Sequence, residues 1–308
     1  MKNFTKLSLF TILLATILFN SCKKEYDSIQ TIDDATISSY IQKNNLSSAM
    51  IQDPNKSGFY YQVLTAGTGD LFKNSDSVLY SITIKSLNSG TLYIQTSTRG
   101  NWSERVGYTN VLPVTSNSNA FIPQIPAIRT AIGSLKPGGT ARVILPSYLA
   151  FGKNGFDEAG IPSNEILDIN ITTSTFRKQF ELDDFRITTS LASKGLTASA
   201  IKDPSRIWYI VKTLGTGGSI DSKESTIVAK YTGRYLDGTT FDSSTDGTYS
   251  IALDQTIVGW GLIIPKFPVG TKLRFFIPSD LAYSSRGSGP IPPNTPIEFE
   301  VEVTSVTN

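Results

Sequence analysis

One domain is written twice in this chain, and no other feature limits its fold as tightly. "DDATISSYIQKNNLSSAMIQDP" (Asp33 to Pro54) and "DDFRITTSLASKGLTASAIKDP" (Asp183 to Pro204) share paired aspartates at one end and Asp-Pro at the other, at a constant offset of 150. "FYYQVLTAGTG" (Phe59 to Gly69) then matches "WYIVKTLGTG" (Trp208 to Gly217), and "SLNSGTLY" (Ser86 to Tyr93) matches "RYLDGTTF" (Arg234 to Phe241). "SLKPGGTARVILPSYLAFG" (Ser134 to Gly152) matches "KFPVGTKLRFFIPSDLAYS" (Lys266 to Ser284), and "GIPSNEILDINIT" (Gly160 to Thr172) matches "PIPPNTPIEFEVEV" (Pro290 to Val303). The order never changes, so the chain holds two tandem copies of one unit. At 308 residues there is room for each to bury its own core. The offset falls from 148 before Tyr93 to 132 after Ile128, a net insertion of 16 residues in the first copy. The stretch "TSTRGNWSERVGYTNVLPVTSNSN" holds it, and its Ser, Thr and Asn content reads as an elaborated surface loop.

Each copy opens with a polar amphipathic stretch, expected as a short helix whose positive N-terminal end suits the paired aspartates. Most of the rest alternates apolar and polar at period two, the signature of half-buried strands. In "PIEFEVEVTSV", Ile297, Phe299, Val301 and Val303 fall on one face, and Glu298, Glu300 and Glu302 on the other. "VGWGLII" (Val258 to Ile264) is the exception, a short helix that Pro265 ends. The expected class is α+β: two twisted antiparallel sheets, each wrapped on a short helix and each preceded by a short N-terminal helix.

Composition removes whole classes of chemistry. The chain has no histidine, which excludes Ser-His-Asp and Cys-His catalysis and the commonest metal ligand. One cysteine cannot close an internal disulfide or build a thiolate cluster. Neither a metal nor another cofactor is expected. The formal charge of +2 includes Lys2 and Lys6, whose removal leaves 26 basic residues against 26 acidic ones. Such neutrality gives no footing for nucleic acid.

Lys2 and Lys6 precede an apolar run of thirteen residues, Leu7 to Phe19, and "LFNSC" then ends at Cys22. As a helix that run rises about 20 Å, short of the roughly 30 Å hydrocarbon core but of signal-peptide length. "LFNSC" resembles the bacterial lipobox, which implies cleavage after residue 21 and lipidation of Cys22. Several acyl chains on one cysteine suffice for stable membrane anchoring. "KKEYD" after it is similar to the export signal of some Bacteroidetes-type surface lipoproteins, and a solvated charged tether explains it equally well. The expected location is the envelope of a Gram-negative bacterium, anchored to the outer membrane and facing the periplasm or the surface.

Within the second copy, "VAKYTGRYLDGTTFDSS", "LDQTIVGW", "VGTKLRFFIPSDLAY" and "GPIPPNTPIEFEVEV" stand in order. Together they resemble the FKBP-type peptidyl-prolyl isomerases, over about Trp208 to Val306. The resemblance implies a pocket floored by Trp260 and walled by Tyr231, Phe241 and Phe299. It makes the Tyr283 hydroxyl and the Ile257 N–H donors to a bound peptide, sets Asp242 at the rim, and puts Tyr249, Thr256 and Ile291 at the entrance. Proline-containing polypeptides are the implied partners, and macrolides the implied inhibitors. Read without the resemblance, each aromatic is equally well an ordinary core residue, and Asp242 a turn residue satisfying backbone N–H groups.

The implied chemistry suits a chain without a proton shuttle. An Xaa-Pro bond must rotate over a barrier of roughly 18–20 kcal/mol, and no covalent bond breaks. Uncatalysed, that takes tens to hundreds of seconds. Three features depart from the family pattern: Ser284 stands where glycine is usual, "GLIIPKF" after Trp260 is unusually apolar, and no basic residue follows Phe241-Asp242 in the familiar way.

In the first copy the same alignment replaces Trp260 by Ile128, Tyr231 by Thr83, Asp242 by Ile94, Tyr283 by Phe151 and Phe299 by Ile169, with Tyr93 echoing Phe241. Residues 33–178 are therefore expected to keep the fold without the site, and 179–308 to carry the activity, behind a signal peptide (1–21) and a lipidated tether (22–32). The residues leave open a low-turnover peptide-binding chaperone, or a surface lipoprotein using both copies as scaffold.

Overall fold

The computed structural model describes residues 27–112 and 124–308. The signal-peptide and Cys22 expectations lie outside those residues. The first copy builds one antiparallel sheet from β1 (Ile51–Gln52), β2 (Tyr60–Thr65), β3 (Ser77–Ser86), β4 (Leu92–Gln95), β5 (Trp102–Arg105), β6 (Thr140–Leu145) and β7 (Leu167–Thr173). Its order is β1-β2-β6-β7-β3-β4, with β5 also paired to β3. The second copy uses β8 (Ile201–Lys202), β9 (Trp208–Thr213), β10 (Thr226–Tyr235), β11 (Thr240–Ala252), β12 (Lys272–Ile277) and β13 (Ile297–Thr307). Its order, β8-β9-β12-β13-β10-β11, is the same once β4 and β5 together stand for β11.

One face of each sheet carries the short helix expected there: α2 (Pro126–Gly133) in the first copy and α4 (Val258–Ile263) in the second. Pro126 pre-sets the first turn of α2, which buries Ala127, Ile128, Ala131 and Ile132 as one stripe. The helix preceding each copy covers the opposite face, so each sheet is the middle of three layers. In α1 (Ile29–Lys43), Ile37 and Ile41 pack on Ile144. In α3 (Gln179–Ser193), Ile187 and Leu191 pack on Phe276. Strand alternation sends the neighbouring Phe275 to the α4 side.

The helix α1 begins at Ile29, capped by Ser28, so the chain is already ordered where a tether to residue 32 was expected. The paired aspartates accordingly sit in the second turn of their helices, not at the N-terminal end. Asp33 accepts from the Ser147 N–H and hydroxyl, each at 2.7 Å. Asp183 does the same with Ser279, at 2.8 and 2.6 Å, and also takes a hydrogen bond from Gln179 Nε2 at 2.8 Å. Their neighbours tie the helices to the copies as well, Asp34 through the Tyr148 hydroxyl and Asp184 through the Trp208 indole. The "DD" repeat is a clamp between helix and sheet.

The α3 layer also changes the reading of β13. Glu300 and Glu302 lie on a partly open face, whereas Glu298 is fully buried and held by Lys194 at 2.5 Å and Arg274 at 2.9 Å.

Two further differences come from the insertion and from register. The Ser/Thr/Asn-rich stretch is not all surface loop: Trp102–Arg105 pairs with β3, and Asn101 is buried. Ile82, not Thr83, is the counterpart of Tyr231, because Ile82 faces Ile171 as Tyr231 faces Val301. The first-copy hairpin is one residue longer, closing between Ser86 and Thr91 where the second closes between Tyr235 and Thr239. A match drawn outward from the turn therefore slips by one on β3, which moves every side chain to the other face.

Candidate functional site

The second sheet and α4 enclose a cavity of about 290 Å³ lined by Tyr231, Asp242, Tyr249, Gln255, Thr256, Ile257, Trp260, Tyr283 and Phe299. Sheet geometry explains the gathering. Tyr231 and Phe299 share the inward face of adjacent strands β10 and β13, and β11 folds back so that Asp242 and Tyr249 stand beside them. Trp260 comes from α4 and meets Phe299 edge-on, with ring centroids 5.1 Å apart and planes at 90°. Tyr231 is edge-on to Trp260 at 5.5 Å and to Tyr249 at 4.9 Å. These are the arrangements that ring quadrupoles favour.

Phe241 stands behind this wall and does not line the cavity. It packs edge-on against Phe299 at 5.6 Å and leans on Tyr235 at 5.2 Å. Gly233 makes that close fit feasible, because a Cβ there would lie 2.7 Å from both the Phe241 and Phe299 rings. Ile291 does not line the cavity either. It is buried, pairs with Ser288, and borders a separate cleft against the first copy. Gln255 was missed from the sequence, although it stands inside the quoted "LDQTIVGW".

Trp260 is only 3% exposed, yet its ring borders the cavity together with Asp242 and Tyr283, so the indole is not sealed off. The Tyr231 hydroxyl donates to Asp242 Oδ2 at 2.7 Å. Burial, then the bond to Asp242, pushes the Tyr231 phenol far above its ordinary value. Burial and the same carboxylate also raise Tyr249 and Tyr283. All three phenols stay neutral donors through the physiological range. The Ile257 N–H, just before α4, meets no acceptor among the described residues.

In the first copy the floor and walls are buried isoleucines, and a half-buried phenylalanine stands at the position of Tyr283. Ile82, Ile128 and Ile169 are each at most 1% exposed, and Phe151 stacks on Phe156 at 4.9 Å.

Ser284 sits at φ +56°, in the left-handed region, as the first-copy Gly152 does at +54°. A side chain there costs roughly 1–2 kcal/mol. Ser284→Gly is expected to stabilise the second copy by about 1 kcal/mol, offset in part by the extra freedom of unfolded glycine. Thermal unfolding of the variant and parent chains checks this.

The family of FKBP-type peptidyl-prolyl cis-trans isomerases matches residues 218–304. FK506-binding protein 1 of Saccharomyces cerevisiae is 39% identical over 97 residues, and the matched part is 30% of this chain and 85% of the yeast protein. The chain belongs to the FKBP-type isomerase family. The FKBP-type peptidyl-prolyl cis-trans isomerase FkpA of Aeromonas hydrophila is 42% identical over 105 residues, covering 33% of this chain and 38% of that protein. The outer membrane protein MIP of Legionella longbeachae is 36% identical over 106 residues, covering 33% and 45%. The chain thus spans less than half the length of these two relatives, and the FKBP match falls on the copy that holds the cavity.

Proposed function

We propose that residues 179–308 form a peptidyl-prolyl cis-trans isomerase acting on exported polypeptides, and that residues 33–178 keep the fold without catalysis. The observation that carries this is the ring-lined cavity with a carboxylate and a phenol at its edge, present in the second copy and filled by isoleucines in the first. A prolyl ring enters against Trp260, Tyr231 and Phe299. As the amide twists it loses resonance, and its carbonyl becomes less charge-separated. A dry, preorganised pocket favours that state over the planar amide. The Tyr283 hydroxyl and the Ile257 N–H hold the flanking carbonyls, and Asp242 fixes Tyr231. Thr256 and Tyr249 stand at the mouth. Lowering the barrier by about 5 kcal/mol gives nearly four powers of ten in rate.

A protease-coupled assay on an Xaa-Pro peptide tests this. The full chain should accelerate the slow phase, and a macrolide that fills FKBP pockets should abolish the acceleration. A chain that only delays cleavage would instead be a peptide-binding chaperone. Activity should also be flat between about pH 6 and pH 9, because the chain has no histidine and its pocket phenols titrate above their ordinary range. A bell-shaped profile in that window would contradict the mechanism.

Cys22 is proposed as the lipid anchor, placing the protein in the bacterial envelope. The name of the Legionella relative, an outer membrane protein, is consistent with that location. Among the described residues no helix is long and apolar enough to cross a membrane. Incorporation of labelled palmitate, abolished by Cys22→Ala, tests the anchor.

A further inference from the structure

We propose that the loop Ser97–Asn101 of the first copy is a latch that fixes two segments behind and beside the second copy's pocket, with Asn101 and Arg99 as positioning residues. This rests on the isomerase reading of that pocket.

One segment is the turn between β10 and β11, behind the pocket wall. Arg99 Nε donates to Asp237 Oδ2 at 2.8 Å and its Nη2 to Thr239 Oγ1 at 3.1 Å. Its guanidinium lies 4.0 Å from the centre of the Tyr235 ring. Tyr235 passes the contact inward, since its ring leans on Phe241 and its hydroxyl donates to the Pro290 carbonyl at 2.6 Å. The other is the segment after Tyr283. Asn101 donates its N–H to the Pro293 carbonyl at 3.3 Å and accepts from Asn294 Nδ2 at 2.9 Å through its own carbonyl. Arg186 of α3 closes the ring of bonds. It donates to Asn101 Oδ1 at 3.0 Å, to the Asn294 carbonyl at 3.3 Å and to the Gly100 carbonyl at 3.2 Å.

Burial makes the contacts around Asn101 count. Asn101, Asn294 and Thr295 are each at most 5% exposed, so their polar groups have no solvent to return to when a partner is lost. Backbone approach is equally tight, because a Cβ on Gly100 would lie 2.1 Å from the Pro293 carbonyl oxygen. Ile291 lies on the gripped segment, which follows directly on Tyr283, and Phe241 backs the wall that the other grip supports. A copy that has lost its own pocket thereby shapes its neighbour's.

The test compares the full chain with Asn294→Ala, which removes the bonds to the Asn101 carbonyl and the Ser103 hydroxyl, and Gly100→Ala, which wedges the halves apart. Neither residue touches the pocket. Amide exchange over residues 284–295 should quicken at least tenfold in both, while exchange in the strands of both sheets stays at the parent level. Affinity for a Leu-Pro peptide should fall about fivefold, with KM rising and kcat nearly unchanged. Unchanged loop exchange in both variants overturns the latch. Quickened exchange with unchanged peptide affinity overturns the positioning role. A parent chain that binds the peptide without turning it over sinks the isomerase reading alone, since exchange and affinity are read without turnover.

Discussion

Replacing Trp260 with leucine should lower kcat/KM for an Xaa-Pro peptide by about a hundredfold, roughly 2.7 kcal/mol of transition-state stabilisation. Trp260 touches the cavity and also packs edge-on against Tyr231 and Phe299. Its N–H makes no hydrogen bond within the described residues, so the substitution removes ring surface and no polar contact. Leucine keeps α4 seated on the sheet while taking away the flat ring that, in the proposed mechanism, supports the prolyl ring. The equivalent change in the first copy, Ile128→Leu, swaps one aliphatic for another of equal volume in a filled core and should leave catalysis at the parent value. The coupled assay measures both, and near-parent turnover in Trp260→Leu would mean that the pocket is assigned to the wrong residues.

The second large effect is on stability. Asp183→Ala should cost about 3 kcal/mol, shifting the denaturation midpoint of the second copy well below the parent's. Asp183 is fully buried and takes three hydrogen bonds, two from Ser279 and one from Gln179. Ser279 is itself fully buried, so losing the carboxylate strands its N–H and hydroxyl. Asp183→Asn keeps one oxygen for Ser279 and should cost about 1 kcal/mol. Ser279 lies four residues before Tyr283, so the clamp also anchors the segment that enters the site. Urea unfolding of the two variants decides the matter: equal losses would mean that packing, not hydrogen bonding, holds α3 in place.

The fold was legible in the sequence to the extent that the two copies repeat local patterns. Period-two strands such as β13 and the short helix at Trp260 announce themselves through spacing and flanking prolines. The third layer did not, because α1 and α3 touch the sheets through a few residues each, and the role of Asp183 depends on a serine 96 positions away. The buried Glu298 is the same failure seen from the strand. Alternation gives the face of a side chain but not whether that face is covered. Within the site, the aromatic residues and Asp242 were readable from motif order, whereas the positions of Phe241 and Ile291 behind or beside the cavity were not. Phe241 sits near the start of β11, packed over Gly233, and Ile291 lies on a segment that the first copy contacts. Nothing in the string "TSTRGNW" marks it as a contact to the other half, since its partners are mostly backbone carbonyls and turn residues.

Two near-identical sheets on one polypeptide invite strands to join the wrong partner while the chain folds. The divergence of their cores works against that. Ile82, Ile128, Val143 and Ile169 in one occupy the positions of Tyr231, Trp260, Phe275 and Phe299 in the other. A hybrid with β7 in place of β13 would set an isoleucine where a phenyl ring props the indole, and leave a void. The reverse exchange would force a ring into a space already full. Either error costs on the order of 1–5 kcal/mol. The difference between an aliphatic core and an aromatic one thus doubles as an address label, sorting each strand to its own sheet.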